Sequence, residues 1–255
     1  MIDTHAHVHD KQFDEDREAV VERARAAGVS AMITVGCDLA DSARATDCAR
    51  RYGLRASVGI HPHEAKDAPD DIAAALDALL DDCVVAIGET GLDYYYDHSP
   101  RDAQVRVLRA QIRFARERDL PVIFHHRDAY DDFRAVLREE FAPGMRGVIH
   151  CFTGDANQAK TYVDEFDLRL GIGGVLTFKT ADGLREAVRA VGLRALILET
   201  DCPYLAPIPY RGRRNEPAFM AATAERLSGV LDVSLDEVLA QTDANARALF
   251  GATPY

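Results

Sequence analysis

Apolar residues in this chain fall into short unbroken runs, separated by stretches where they recur at every third or fourth position. The runs are Met1–His7, Ala31–Cys37, Arg55–His61, Val84–Thr90, Pro121–His126, Gly147–Phe152, Leu168–Val175 and Leu196–Thr200. Most are rich in Val and Ile, as parallel strands buried on both faces are. The intervening stretches read as helices over Asp14–Ala27, Leu39–Tyr52, Pro69–Leu80, Arg101–Arg118, Tyr130–Glu140, Ala156–Glu165 and Gly183–Val191, with Pro217–Leu231 and Leu235–Leu249 closing the chain. In the longest, Val105, Leu108, Ile112 and Ala115 form a single apolar stripe. Pro69–Leu80 has a proline near its start and acids in its first turn, both favourable there. Eight strands alternating with helices predict an α/β fold, a single (β/α)8 TIM barrel over residues 1–255 with an extra C-terminal helix. A doubly wound open sheet is the alternative. It usually carries a glycine-rich phosphate turn after its first strand, and here that place is held by His7-Val8-His9-Asp10.

In such barrels the chemistry sits at the C-terminal ends of the strands. The opening stretch, read as a strand, puts Asp3, His5, His7 and His9 on one face, because side chains alternate with a period of two. Eight of the nine histidines fall at or just past a predicted strand end: His5, His7, His9, His61, His63, His125, His126 and His150. Strands four and eight contribute Glu89, Glu199 and Asp201 instead. One buried histidine is most simply a hydrogen-bonded core residue. The same arrangement on six strands calls for something that organises it, since buried polar groups need partners. Four or more imidazoles with carboxylates exceed what one catalytic zinc takes and suit two cations about 3.5–4 Å apart. No lysine ends the fourth strand, so a modified lysine does not bridge there; Glu89 holds that place.

Composition narrows the picture. The net charge is −12, and 26 of the 30 basic residues are arginines. A broad nucleic-acid-gripping face is therefore not expected, because that affinity comes from phosphate neutralisation. The acidic, lysine-poor surface also suits a saline cytosol. The five cysteines form no C-x-x-C pair, which fits a reducing compartment. Neither a signal segment nor a run of ~18 apolar residues is recognisable, so a cytoplasmic protein without membrane contact is expected.

Seven blocks together resemble the TatD family of metal-dependent deoxyribonucleases, within the amidohydrolase-like barrel hydrolases. They are Asp-Thr-His-Ala-His (3–7), Gly-Ile-His-Pro-His (59–63), Ile-Gly-Glu-Thr-Gly-Leu-Asp-Tyr-Tyr (87–95), Phe-His-His-Arg-Asp-Ala (124–129), His-Cys-Phe-Thr-Gly (150–154), Leu-Glu-Thr-Asp-Cys-Pro-Tyr-Leu (198–205) and Arg-Gly-Arg-Arg-Asn-Glu-Pro (211–217). The resemblance implies metal ligation by His5, His7, Glu89, His125, His150 and Asp201, and it selects His125 over His126. It implies two divalent cations: one held by His5 and His7, the other by His125 and His150, with Glu89 bridging. Mg, Mn and Zn are not distinguished. The cations would activate water to hydroxide, and Asp201 would take up its proton, making Asp201 and Glu89 the catalytic pair. Glu199 is expected behind the ligands. His61, His63, Arg127 and Arg211 are the expected substrate contacts, with Arg213 and Arg214 on the same rim. Tyr94–Tyr96 are candidates for stacking a base. Gly171, Gly173 and Gly174 would serve tight strand packing or close approach of a ligand.

The acidic surface points to ends of single-stranded DNA or short oligonucleotides as substrate, with no obligate protein partner. The same centre can polarise a carbonyl, so an aminoacyl-tRNA deacylase or another amidohydrolase-type activity is the alternative. A non-catalytic metal-dependent interaction protein is a third reading.

Overall fold

In the computed structural model, which describes residues 1–251, the apolar runs pair side by side in chain order as one eight-stranded parallel sheet. The strands are β1 (Ile2–Ala6), β2 (Ala31–Val35), β3 (Arg55–Val58), β4 (Val84–Asp93), β5 (Val122–Arg127), β6 (Gly147–Ile149), β7 (Arg169–Ile172) and β8 (Leu196–Leu198). The sheet curls so that β8 returns to β1. The seam is joined by Asp201 N to His5 O (2.8 Å), His7 N to Cys202 O (2.8 Å) and Thr4 Oγ1 to Leu198 O (2.9 Å). The helices are α1 (Arg17–Ala26), α2 (Leu39–Tyr52), α3 (Ile72–Asp77), α4 (Arg101–Glu117), α5 (Tyr130–Glu140), α6 (Ala156–Phe166), α7 (Asp182–Val191), α8 (Met220–Leu231) and α9 (Leu235–Phe250). This is the expected (β/α)8 barrel with an added C-terminal helix.

Local chemistry sets the boundaries. Asp38 caps α2 by accepting from Asp41 N (2.7 Å), and the helix stops at Gly53 in the left-handed region (φ 64°), where glycine is unstrained. Helix α3 is shorter than its sequence pattern because Asp71 is its N-cap, accepting from Ala74 N (2.9 Å). Strand β7 ends earlier than predicted because Gly174–Thr177 winds into a 3-10 turn. Strand β4 runs three residues beyond Thr90, continuing its ladder with Gly91 opposite His125 and Asp93 opposite Arg127. A Cβ at Gly91 would strike the His125 carbonyl oxygen, so the close approach of β4 to β5 requires glycine.

Inside the barrel, Ile33, Val35, Ala86, Ile123, Val148 and Ile197 form an apolar plug that packs on Ala246 and Leu249 of α9. Helix α9 thus closes the end opposite the histidines. Its buried Asn245 donates through Nδ2 to Leu193 O (3.0 Å) and Leu196 O (2.7 Å) at the entrance to β8. Asn245→Ala removes both bonds, although Leu193 O keeps Leu196 N as a donor, and each lost hydrogen bond costs about 0.5–1.5 kcal/mol. A loss of roughly 2 kcal/mol in urea denaturation is expected, while a change under 0.5 kcal/mol would show that water replaces the amide.

Candidate metal centre

Because catalytic side chains leave the C-terminal ends of the strands, the two ends of each run decide what reaches the mouth. Glu89, midway along β4 and almost fully buried, is the hub. Its Oε1 lies 2.9 Å from His125 Nδ1, 3.4 Å from His61 Nε2 and 3.3 Å from His150 Nε2, and its Oε2 lies 3.3 Å from His5 Nε2. Asp201, three residues past β8, turns its Oδ1 to His7 Nε2 (3.4 Å) and His5 Nε2 (3.8 Å). His7 is oriented by Nδ1 against Val35 O (2.8 Å). His150 stacks on His5 with ring centroids 3.7 Å apart, and its Nδ1 faces Glu199 (3.3 Å). Glu199 also accepts from Cys151 N, so it orients His150 from behind. A Cβ at Gly171 would strike the Glu199 carboxylate. That glycine is there for packing.

All six residues expected as ligands therefore converge, though not in the expected pairs. His150 lies beside His5, and the place next to His125 is taken by His61. Donor atoms of His5, His7 and Asp201 all lie within 4.8 Å of one another, as do those of His61, Glu89 and His125. The donor set fits divalent cations. His5 is only 1% exposed, and neither ring nitrogen has a hydrogen-bond partner, an arrangement that is costly unless something is bound there.

The electrostatics point the same way. Burial opposes ionisation of Glu89, yet His150, His61, His125 and His5 hold its carboxyl well below the usual range. Asp201 is also held down against burial, chiefly by His7. Burial pushes His61 down to about 4, leaving a neutral imidazole. His150 is raised to about 9, because Glu89 and Glu199 outweigh burial.

Sequence reasoning assigned no role to Asp93. Its Oδ2 bridges His63 Nε2 (2.9 Å) and His125 Nε2 (3.0 Å), and its Oδ1 accepts from Tyr95 N (3.0 Å) and Tyr96 N (2.9 Å). One carboxylate thus holds two imidazoles and the tyrosine turn. The available signal was parity, since Asp93 follows Glu89 by four residues on a strand. Cys37 was also passed over, although its sulfur lies within 4.8 Å of donor atoms on His7 and Glu89.

Above the cluster opens a cavity of about 460 Å3 lined by His7, Cys37, His63, Arg127, Asp201 and Tyr204, among others. Arg127 lies over Tyr95 and Tyr96 (4.1 and 4.7 Å to the ring centroids), and both tyrosines are exposed. Arg211 is elsewhere: its guanidinium stacks on Phe178 (4.1 Å) and does not line the cavity. His9 leaves the common face where β1 ends, pairing with Asp41 (3.0 Å) and Thr34 (2.7 Å). His126 points outward against Phe133 and Tyr162. Asp3 is fully buried and pushed up to about 7 by that burial; it accepts from Thr200 N and Oγ1, tying β1 to the end of β8.

Arg214 is engaged by Asp16 through two hydrogen bonds of 2.8 and 2.7 Å. It braces the loop rather than facing the cavity. Asp16 is held down at about 2, first by Arg214 and further by Arg23. A depressed carboxyl stabilises the fold above its unfolded pKa and loses that contribution as pH falls through the folded one. The pair is partly solvated, so screening limits it to ~1 kcal/mol. Asp16→Asn is expected to lower stability by that amount at pH 7 and by only a small part of it at pH 2. An equal loss at both values in urea denaturation would contradict the ion pair as its source.

The profile of the family described as TatD related DNase matches residues 2–251. The chain is 40% identical to an uncharacterized metal-dependent hydrolase, YabD, from Bacillus subtilis, with 98% of each covered. It is 37% identical to a 3'-5' ssDNA/RNA exonuclease, TatD, from Erwinia amylovora, covering 98% of this chain and 100% of that one. Among solved structures, the TatD homologue YjjV from Escherichia coli superposes with a TM-score of 0.92 at 31% identity, covering 99% of this chain and 98% of that one. A TatD family hydrolase from Entamoeba histolytica gives 0.90 at 25% identity, with 99% and 98% covered.

Proposed function

Because the chain belongs to the TatD-related DNase family of metal-dependent hydrolases acting on ester bonds, we propose that it is a nuclease that trims single-stranded DNA ends or short oligonucleotides with two divalent cations. The observation that carries this reading is the buried Glu89 carboxylate within 3.4 Å of four imidazoles at the barrel mouth.

In this reading His5, His7 and Asp201 would hold one cation and His125 the other, with Glu89, His61 and His150 as further donors in reach. When bound, such cations supply Lewis-acid stabilisation of a phosphoryl oxygen and a water of lowered pKa. The chain's own groups do the rest. Asp201 faces the cavity with an ionised carboxylate and accepts a proton there, then returns it to the leaving oxygen. Asp93 fixes the rings of His63 and His125, so neither reorganises as charge develops. Arg127 and His63, on the cavity wall, meet the phosphate oxygens, and the tyrosines beneath Arg127 offer flat faces to a base. Arg211 and Arg214 are too far committed elsewhere to serve the reacting phosphate.

The net charge of −12 supports short or single-stranded substrates over long duplexes, since little of the surface can neutralise phosphates. Among the described residues no helix is long and apolar enough to cross a membrane.

The test pairs two substrates with the purified protein and added Mg, Mn or Zn. Nucleotide release from 3′-labelled single-stranded DNA, abolished by EDTA, is the expected result. Amino-acid release from aminoacyl-tRNA with no nucleotide release would move the reaction to a carbonyl and overturn the nuclease reading.

A further inference from the structure

Of the five cysteines, Cys48, Cys83 and Cys202 are buried, as a free thiol acting as a small hydrophobe usually is. Cys37 is placed differently. It lies two residues past β2, at the same barrel mouth as the histidines that follow β1 and β3, and it lines the cavity above the carboxylates. Its backbone is held on both sides: Cys37 N donates to Asp41 Oδ2 (2.9 Å), and Cys37 O accepts from His61 N (2.8 Å). Asp41 is itself held by His9 at 3.0 Å. The thiol therefore sits on an anchored segment rather than a free loop. Cys151, the remaining cysteine, is next to His150 but does not line the cavity.

Two further features show that this thiol faces a ligand site. Its sulfur lies within 4.8 Å of donor atoms on both His7 and Glu89. Beside them is His5, buried, with Nδ1 unpartnered and Nε2 3.3 Å from Glu89 Oε2. A nitrogen, a sulfur and an oxygen donor thus share one side of the centre.

We propose that Cys37 is a metal ligand on the His7 side of the centre, and that its sulfur biases this site toward zinc, cobalt and cadmium and away from magnesium. The proposal rests on the metal-centre reading above and goes beyond it in naming a donor and a selectivity. Thiolate sulfur is a soft donor that holds zinc at ordinary bond lengths, whereas magnesium requires oxygen ligands. On coordination the S–H proton leaves to solvent and the sulfur lone pair forms the bond, with no change of oxidation state. Without Cys37 the donors on this side are imidazole and carboxylate alone, which zinc, manganese and magnesium share more evenly.

The test uses the full chain, stripped of metal and titrated with Co(II). Visible ligand-field bands report that cobalt binds. A near-ultraviolet sulfur-to-cobalt charge-transfer band reports a thiolate ligand. We expect both in the wild type, ligand-field bands without charge transfer in Cys37→Ser, and both again in Cys151→Ser. The preference for zinc over magnesium, from competition with a metal indicator, is expected to fall at least ~10-fold in Cys37→Ser. A measurement on the wild type alone covers the case in which the serine variant fails to fold. Zinc or cadmium should protect Cys37 from alkylation, as mapped by mass spectrometry, and magnesium should not. Ligand-field bands without charge transfer in the wild type, a band that survives Cys37→Ser, or unprotected Cys37 overturns this proposal while leaving the metal centre standing. Absence of any cobalt binding overturns both.

Discussion

Glu89→Gln is expected to lose at least ~10³-fold in metal-dependent nucleotide release, with a barrel that still folds. The substitution keeps the volume of a nearly fully buried side chain, so the size of the effect comes from charge and donor chemistry. A carboxylate offers lone pairs from two oxygens, and here they face His125, His61, His150 and His5. The amide offers one acceptor oxygen and an NH2 that cannot bind a cation. It also removes the single negative charge at the middle of four imidazoles, so two cations would meet more uncompensated positive charge. Stabilisation of developing charge is usually the largest single contribution to catalysis of this type. On the two-cation reading, metal binding should be lost or weakened, measurable as metal content after dialysis. Circular dichroism and thermal unfolding of the metal-free proteins should differ little. Full activity in the glutamine variant would show that the carboxylate is not the bridge, and the two-cation reading would fall with it.

The barrel was readable because buried parallel strands leave near-continuous apolar runs, and the eight runs found in the sequence are the eight strands observed. Their ends were less readable. In β4, Gly91, Leu92 and Asp93 have no strand-like composition, yet they stay in the ladder because β5 extends alongside them to Arg127. That neighbour sets the end is a tertiary effect, invisible to a local pattern. The same extension hid Asp93, whose role comes from the rings of His63 and His125 across the mouth. His9 shows the reverse failure. Period-two alternation put it with His5 and His7, but β1 ends at Ala6 and the chain turns His9 toward Asp41.

The arginines after β8 were the least legible. Arg127 is the last residue of β5 and reaches the cavity, whereas Arg211 and Arg214 sit in a loop whose path depends on where it packs. Phe178 and Asp16 claim them. Cys37 escaped notice for another reason. Its sequence neighbours hold no second cysteine, and spacing rules for thiols look for pairs. Only its position just past a strand end, shared with the histidines, marked it.

Asp201→Asn should separate metal retention from turnover. The backbone places this residue firmly: Asp201 N donates to His5 O (2.8 Å), its φ is 56°, and Tyr204 N donates to its carbonyl oxygen (2.9 Å). Asparagine tolerates the left-handed region about as well as aspartate does, so the side chain should stay where it is. The remaining oxygen can still face His5 and His7, and His61, Glu89 and His125 are untouched. What disappears is the carboxylate proposed to accept and return a proton. General acid–base catalysis contributes typically 10²–10⁴-fold, and a fall of ~10³-fold in kcat with less than ~10-fold change in apparent substrate affinity is expected. Metal analysis should show at least one cation retained. The acid limb of the pH–rate profile should flatten, because it reports the group that must be ionised to act as base. Near-wild-type kcat with an unchanged profile would remove Asp201 from the proton path. Loss of both cations together would instead assign it a ligand's role only.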